Sequence, residues 1–226
     1  MSRGRSLKSI DVSSSAPPQN KRAAILSAAR ELVATAGFRD AQMTAVAAAA
    51  GIALGTLYRY FPSKTELMIE IVNQVSQREV DVAAGIAMGD GTATQRLSAS
   101  AWAFASRALR GRNLAHALVA EPVESEIEAV RLKYRRKLAR VFESIIEHGV
   151  RATEFPAQDV AASAACIVGS LFEGLIGPLA LDTLSTEDER YQQATAIIGF
   201  CLRGVCGRNL TFTPTLLKQE PSAQIP

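Results

Sequence analysis

Residues 43–75 read MTAVAAAAGIALGTLYRYFPSKTELMIEIVNQV, in which one glycine separates two short apolar stretches and one proline closes the second. Helices of this length do not persist alone in water, so each must lean on the other and on longer neighbours. Thr44 is suited to cap the first, with Val46, Ala47 and Ala50 turned inward. Gly51 permits a left-handed turn, Ile52 plugs the core behind it, and the second helix runs from Leu54 to Phe61, where Pro62 stops it. Two short helices joined by such a turn make a helix-turn-helix, and small residues in the first let the second cross it closely. Ser63 then caps a third helix, Glu66 completes a capping box three residues on, and Leu67, Ile71 and Val75 continue the inner stripe.

In the second helix Leu57 and Phe61 are four apart and share the buried face, while Thr56, Tyr58, Arg59 and Tyr60 lie on the others. Exposed tyrosines beside a base suit a DNA groove, where the ring packs on sugar and methyl groups and the hydroxyl reaches a phosphate. Gly55 lets backbone approach a duplex, and Lys64 adds charge at a helix N-terminus that offers free N–H donors to a phosphate.

Charge is distributed in the same sense. The net charge is only +3, yet the first 70 positions hold nine Lys/Arg against five acids, leaving the remainder slightly acidic. The positive excess points to a polyanion partner in the first third. At 48% hydrophobic and 6% aromatic residues, with abundant alanine and no alternating runs or Asn-Gly turns, the fold class is all-α. Three cysteines without metal or redox spacing fit a reducing compartment. The basic N-terminus has no apolar segment after it, and the longest uncharged stretches, such as Val160 to Phe172, fall short of the roughly 20 residues that cross a bilayer. A cytoplasmic protein with no membrane partner is expected.

The segment TAVAAAAGIALGTLYRYFPSKTELMIEIV resembles the DNA-binding part of TetR-family transcriptional regulators, and the likeness extends over about residues 20–75. It implies double-stranded DNA contacts by Thr44, Gly55, Thr56, Tyr58, Tyr60 and Lys64, to which the local reading adds Arg59. One departure stands out: many members carry Ser or Thr where Ala53 stands, so this chain lacks that cap and phosphate contact.

Around this segment the chain divides into a disordered basic arm (1–19), a helix-turn-helix DNA-binding domain (20–66), a larger helical-bundle ligand-binding and dimerisation domain (67–210) and a loose C-terminal tail (211–226). A first helix begins at an Asn20 cap, buries Ile25, Ala29, Leu32 and Val33, and ends at Gly37. Beyond Val82 the periodicity predicts helices over 95–109, around Leu114 to Val119, and from Pro122 to about Arg151. Within the last, RLKYRRKLAR packs six bases into residues 131–140; of two readings, a patch for the phosphates of an acyl-CoA-like effector and a solvated face in which Glu128 pairs with Arg131, the second is preferred, with Leu132, Leu138, Val141 and Ile145 facing inward. The final two long helices are apolar over much of their circumference, and a surplus apolar face calls for self-association. The resemblance implies a homodimer through those two helices, binding a palindromic operator.

It also implies a small-molecule effector held inside the second domain, with Trp102, Phe104, His116, Phe142 and Phe172 as candidate liners and Arg107 or Glu173 as polar contacts. Nothing in the residues names that molecule, and no cofactor or metal is expected. With two histidines and no GxSxG, HExxH, P-loop or CxxC motif, an enzyme is the weakest reading. A nonspecific nucleic-acid-binding protein using the arm and the basic segment is the alternative to a ligand-responsive repressor.

Overall fold

The computed structural model describes residues 18–181 and 185–207. Among these there are ten helices and no strand: α1 (Pro18–Asp40), α2 (Met43–Ala49), α3 (Leu54–Tyr60), α4 (Lys64–Ala87), α5 (Ala93–Arg110), α6 (Arg112–Ala120), α7 (Ser125–Arg151), α8 (Val160–Gly174), α9 (Ile176–Leu179) and α10 (Glu187–Cys206). The expected arm lies outside the described residues except for Pro18 and Gln19, as does the expected tail.

Two cores form. The head core joins Ile25, Val33, Phe38, Val46, Leu57, Phe61, Leu67 and Ile71 from α1 to α4. The body core joins Leu97, Leu138, Phe142, Ile145, Ile167, Leu171 and Ile198 from α5, α7, α8 and α10. The uninterrupted α4 belongs to both, contributing Val72 to the head and Val80 to the body. Ala117 of α6 and Ile127 of α7 are buried in the head core, so the body grips the head on a second side.

The helix boundaries and faces follow local chemistry, with several departures from the sequence reading. Pro18 rather than Asn20 opens α1, as its fixed φ allows in a first turn. Gly37 ends the regular run as expected, at φ +77. Thr44 is not the cap of α2: Gln42 occupies that place without a side-chain cap bond, because burial of Met43 draws the helix start back. Pro122 lies outside α7, whose cap is Glu124; a residue before proline is driven to extended backbone, and Glu121 has φ −68, ψ 139. Leu132 faces outward at 43% exposed, since Arg131, at 7%, takes the inward position together with Tyr134 and Leu138. Ser63 does cap α4, accepting from the Glu66 N–H at 3.1 Å, but the expected capping box is only half formed, since the Glu66 carboxylate makes no return bond to the Ser63 N–H.

The run Val160–Leu179 is longer in its apolar character than the sequence reading allowed, being long and apolar enough to cross a membrane by length and composition. It is two helices, broken at Leu175, and Ala164, Ile167, Val168 and Leu171 pack into the body core.

Candidate nucleic-acid interface and interior cleft

Helix α3 carries the outward surface. Leu57 is 0% exposed and fixes the helix against the head core, which leaves its neighbour Tyr58 at 45% exposed. Arg59, Gly55 and Thr44 are exposed, and Thr56 is half-buried. A Cβ at Gly55 would meet nothing within 4 Å, so backbone there is open to an approaching molecule. Tyr60 is half-buried and packs on the head core, so it has a structural share that Tyr58 lacks. The turn before α3 is made by Gly51 at φ +65, a conformation that favours glycine.

Lys64 opens α4, but its Nζ donates to the Arg39 carbonyl at 2.8 Å, which ties the start of α4 to the end of α1. Arg22 does similar work: its guanidinium sits 5.2 Å from the Phe61 ring centroid and 3.3 Å from Glu70. Beside α3, Asn20 and Lys21 of α1 and Ala50 to Ala53 of the turn border an open groove of about 550 Å³ that Thr56 also lines. Asn20 and Lys21 were not singled out as contacts from the sequence. Lys21 counted only toward the basic excess, and the fold alone brings it alongside the turn.

A second space lies between head and body: a cleft of about 380 Å³ whose walls include Phe104, Phe172, Leu118 and Leu138. Phe104 and Phe172 pack at 5.2 Å between centroids. Polar groups gather at this apolar space. Arg107 makes two bonds to Glu79, at 2.7 and 2.9 Å, and this carboxylate raises the guanidinium's pKa. Arg30 of α1 and Arg131 of α7 also line the cleft. Burial pushes the Arg131 pKa down, opposed by its bond to Glu128.

Of the five expected liners, Phe104 and Phe172 border this cleft, and so does Arg107. The other three do not. Phe142 is 0% exposed within the body core. Trp102 is 40% exposed on the surface, against Tyr191 of α10 at 5.8 Å. His116 is half-buried on α6, with no hydrogen-bond partner for Nδ1 among the described residues. Glu173 is exposed. The basic segment is only partly a solvated face: Arg131 is buried, Lys137 donates to Gln77 at 2.7 Å, and Arg135 lies 4.9 Å from the Phe172 ring. The Glu128–Arg131 pair forms at 3.3 Å.

A helix-turn-helix with an outward tyrosine and base, continued by one helix into a larger body, defines a two-domain helical DNA-binding regulator. Residues 25–71 match the family described as bacterial regulatory proteins, tetR family, and residues 94–196 match the tetracyclin repressor-like C-terminal domain. The chain belongs to the TetR family of transcriptional regulators, whose members are transcription factors rather than enzymes. It is similar to the HTH-type transcriptional repressor KstR of Mycolicibacterium smegmatis, with 38% identity over 80 residues, 35% of this chain and 39% of that one. The KstR of Rhodococcus jostii is 43% identical over 68 residues, 30% and 32% of the two chains. The matched part thus spans about a third of the length of these curated relatives. In fold it resembles the regulator FadR of Bacillus subtilis, solved in complex with stearoyl-CoA, at TM-score 0.70 and 20% identity over 81% of this chain and 98% of that one. The FadR of Bacillus halodurans superposes at TM-score 0.72 with 21% identity, over 86% and 100%.

Proposed function

We propose that this protein is a homodimeric repressor that binds a near-palindromic operator in the cytoplasm and lets go when a small molecule enters the cleft between head and body. The observation that carries the DNA reading is the pairing on α3 of a fully buried Leu57 with an outward Tyr58. The buried residue fixes the orientation of the exposed one, and Gly55, Thr56, Arg59 and Tyr60 of the same helix, with Thr44 and Lys64 of the helices before and after it, complete the proposed contact set. One seven-residue helix covers too little of a duplex for specificity, whereas a two-fold pair offers two, about 34–36 Å apart, to successive major grooves.

The dimer reading rests on the outer faces of α8 and α10. Ala161, Ala165 and Gly169 line one exposed edge of α8, and Phe200 of α10 is 64% exposed. An aromatic this open on α10, with an exposed edge of small residues on α8, suits closure against a second copy. The effector reading rests on an apolar cleft with Arg107, Arg30 and Arg131 at its wall, a lining that suits an amphipathic anion. The fatty acyl thioester in the similar FadR structure belongs to that chemical class.

Selection of bound duplexes from a random library tests the proposal. A two-fold symmetric sequence should emerge, with log K falling by about 0.9 per neutralised phosphate as log salt rises. Recovery of no preferred sequence would favour nonspecific binding instead. In sedimentation, wild type should run as a dimer and Phe200→Glu as a monomer; a wild-type monomer would overturn the two-fold arrangement.

A further inference from the structure

We infer that Glu121 and Arg131 form a relay that ties the position of the helix-turn-helix head to the contents of the cleft. This rests on the reading that the cleft receives an effector, and it names the residues through which occupancy would be felt.

The relay is built at the corner between α6 and α7. The Glu121 carboxylate accepts the Phe38 N–H at 2.8 Å, reaching across from body to head. It enters there because residue 37 is glycine: a Cβ at that position would collide with the carboxylate, and φ +77 would strain any other residue. Behind Glu121 stands Arg131. Its guanidinium donates to the Glu121 carbonyl at 3.0 Å, to the Ala117 carbonyl at 2.8 Å and to Glu128 at 3.3 Å. It also lies 5.8 Å from the centroid of the Phe38 ring, so one side chain holds the corner of the body and touches the head.

The same Arg131 lines the cleft, and its Nε is buried without a hydrogen-bond partner among the described residues. An unmet buried donor is costly, and an occupant carrying an acceptor would satisfy it. Capture of that donor requires the guanidinium to shift toward the cleft. Shifting it loosens the two carbonyls that it holds, and with them the carboxylate on Phe38. Arg30, on α1 of the head, lines the same cleft, so the head is itself one wall of the space being filled. An occupant thereby distinguishes two head positions, as coupling between sites demands.

The test uses the full chain and needs no identified effector. Ala108 lines the cleft from α5, on a different helix from the relay, and Ala108→Phe fills the space in place of an occupant. Two readouts are taken in wild-type and Glu121→Ala backgrounds: amide exchange around Phe38, and affinity for the duplex that selection yields. Ala108→Phe should speed exchange at Phe38 and weaken duplex binding by about tenfold in the wild-type background, but by less than about twofold with Glu121→Ala, which removes the acceptor of the Phe38 N–H, since contacting groups couple non-additively. Equal factors in both backgrounds would overturn the relay. If Ala108→Phe does not fold, as judged by its melting curve, Ala108→Leu repeats the experiment with a smaller side chain from the same helix. If selection yields no duplex, the DNA reading fails separately, and Phe38 exchange alone decides the relay: faster with the filled cleft supports it, unchanged overturns it. Arg131→Lys, which keeps the charge but not the fork of donors, should reproduce the loss of coupling.

Discussion

The head carries its proposed function on the outside and the body on the inside, and that difference decides what each reveals. On α3 an aromatic at 45% exposed next to a leucine at 0% is an anomaly, because large apolar rings belong in cores. In the body, Phe104 and Phe142 both belong among core-facing residues, yet only Phe104 borders the cleft. An outward aromatic announces itself; an inward one looks the same whether it meets a neighbour or an empty space.

Substitution separates the two classes of phenylalanine, and gives the largest effect. Phe142→Ala should cost about 3–5 kcal/mol, as truncation of a fully buried ring does. Phe104→Ala, already facing a cavity, should cost about 1–2 kcal/mol because less apolar surface leaves contact. Denaturant unfolding at fixed pH measures both. Comparable losses would mean that the cleft is closed in solution and that body and core are one.

A smaller expected effect concerns the head. Tyr58→Ala should weaken operator binding by about tenfold, roughly 1.4 kcal/mol, while leaving the melting temperature nearly unchanged, since the ring is outside the head core. Tyr60→Ala should lower both, because Tyr60 packs on that core. If Tyr58→Ala binds the selected duplex as wild type does, the outward face of α3 is not the contact surface.

The same contrast explains what could be read in advance. The helix-turn-helix was legible because its constraints are local: Gly51 for the left-handed turn, Leu57 and Phe61 four apart, Ser63 before an apolar run. These were found where expected. The Arg131 position was not, since its inward turn depends on carbonyls of Ala117 and Glu121 that are distant partners from another helix and its exit. Periodicity favoured Leu132 for that place, and a buried guanidinium held by backbone carbonyls leaves no trace in apolar spacing. Trp102 and His116 misled for a related reason: both sit on helices near the cleft, and only the rotation of the helix decides which side they face. The second wall of the cleft, from Arg30 of α1, required knowing that head and body touch.

The smallest effect compares how the two parts cap their long helices. In the head, α4 is capped by the neutral Ser63 hydroxyl. In the body, α5 has a hydroxyl cap of its own in Thr92, which accepts the Gln95 N–H at 3.1 Å, and a second hold that α4 lacks among the described residues: the distant Glu154 carboxylate accepts the N–H groups of Ala93 at 2.9 Å and Thr94 at 3.2 Å. Those bonds, Ala93 first, hold the Glu154 carboxyl below its ordinary value. A carboxylate favoured by folding contributes fully above the unfolded pKa, about 4.3, and its contribution is lost as pH falls through the lower folded value. Glu154→Gln should therefore melt below wild type at pH 7, with the gap closing as the pH is lowered past that range. Ser63→Ala should leave a gap that hardly changes over the same range, because no titrating group of its own is removed. A Glu154→Gln gap that persists undiminished in acid would mean that the side chain's shape, not its charge, holds α5, and the contrast between the two caps would vanish.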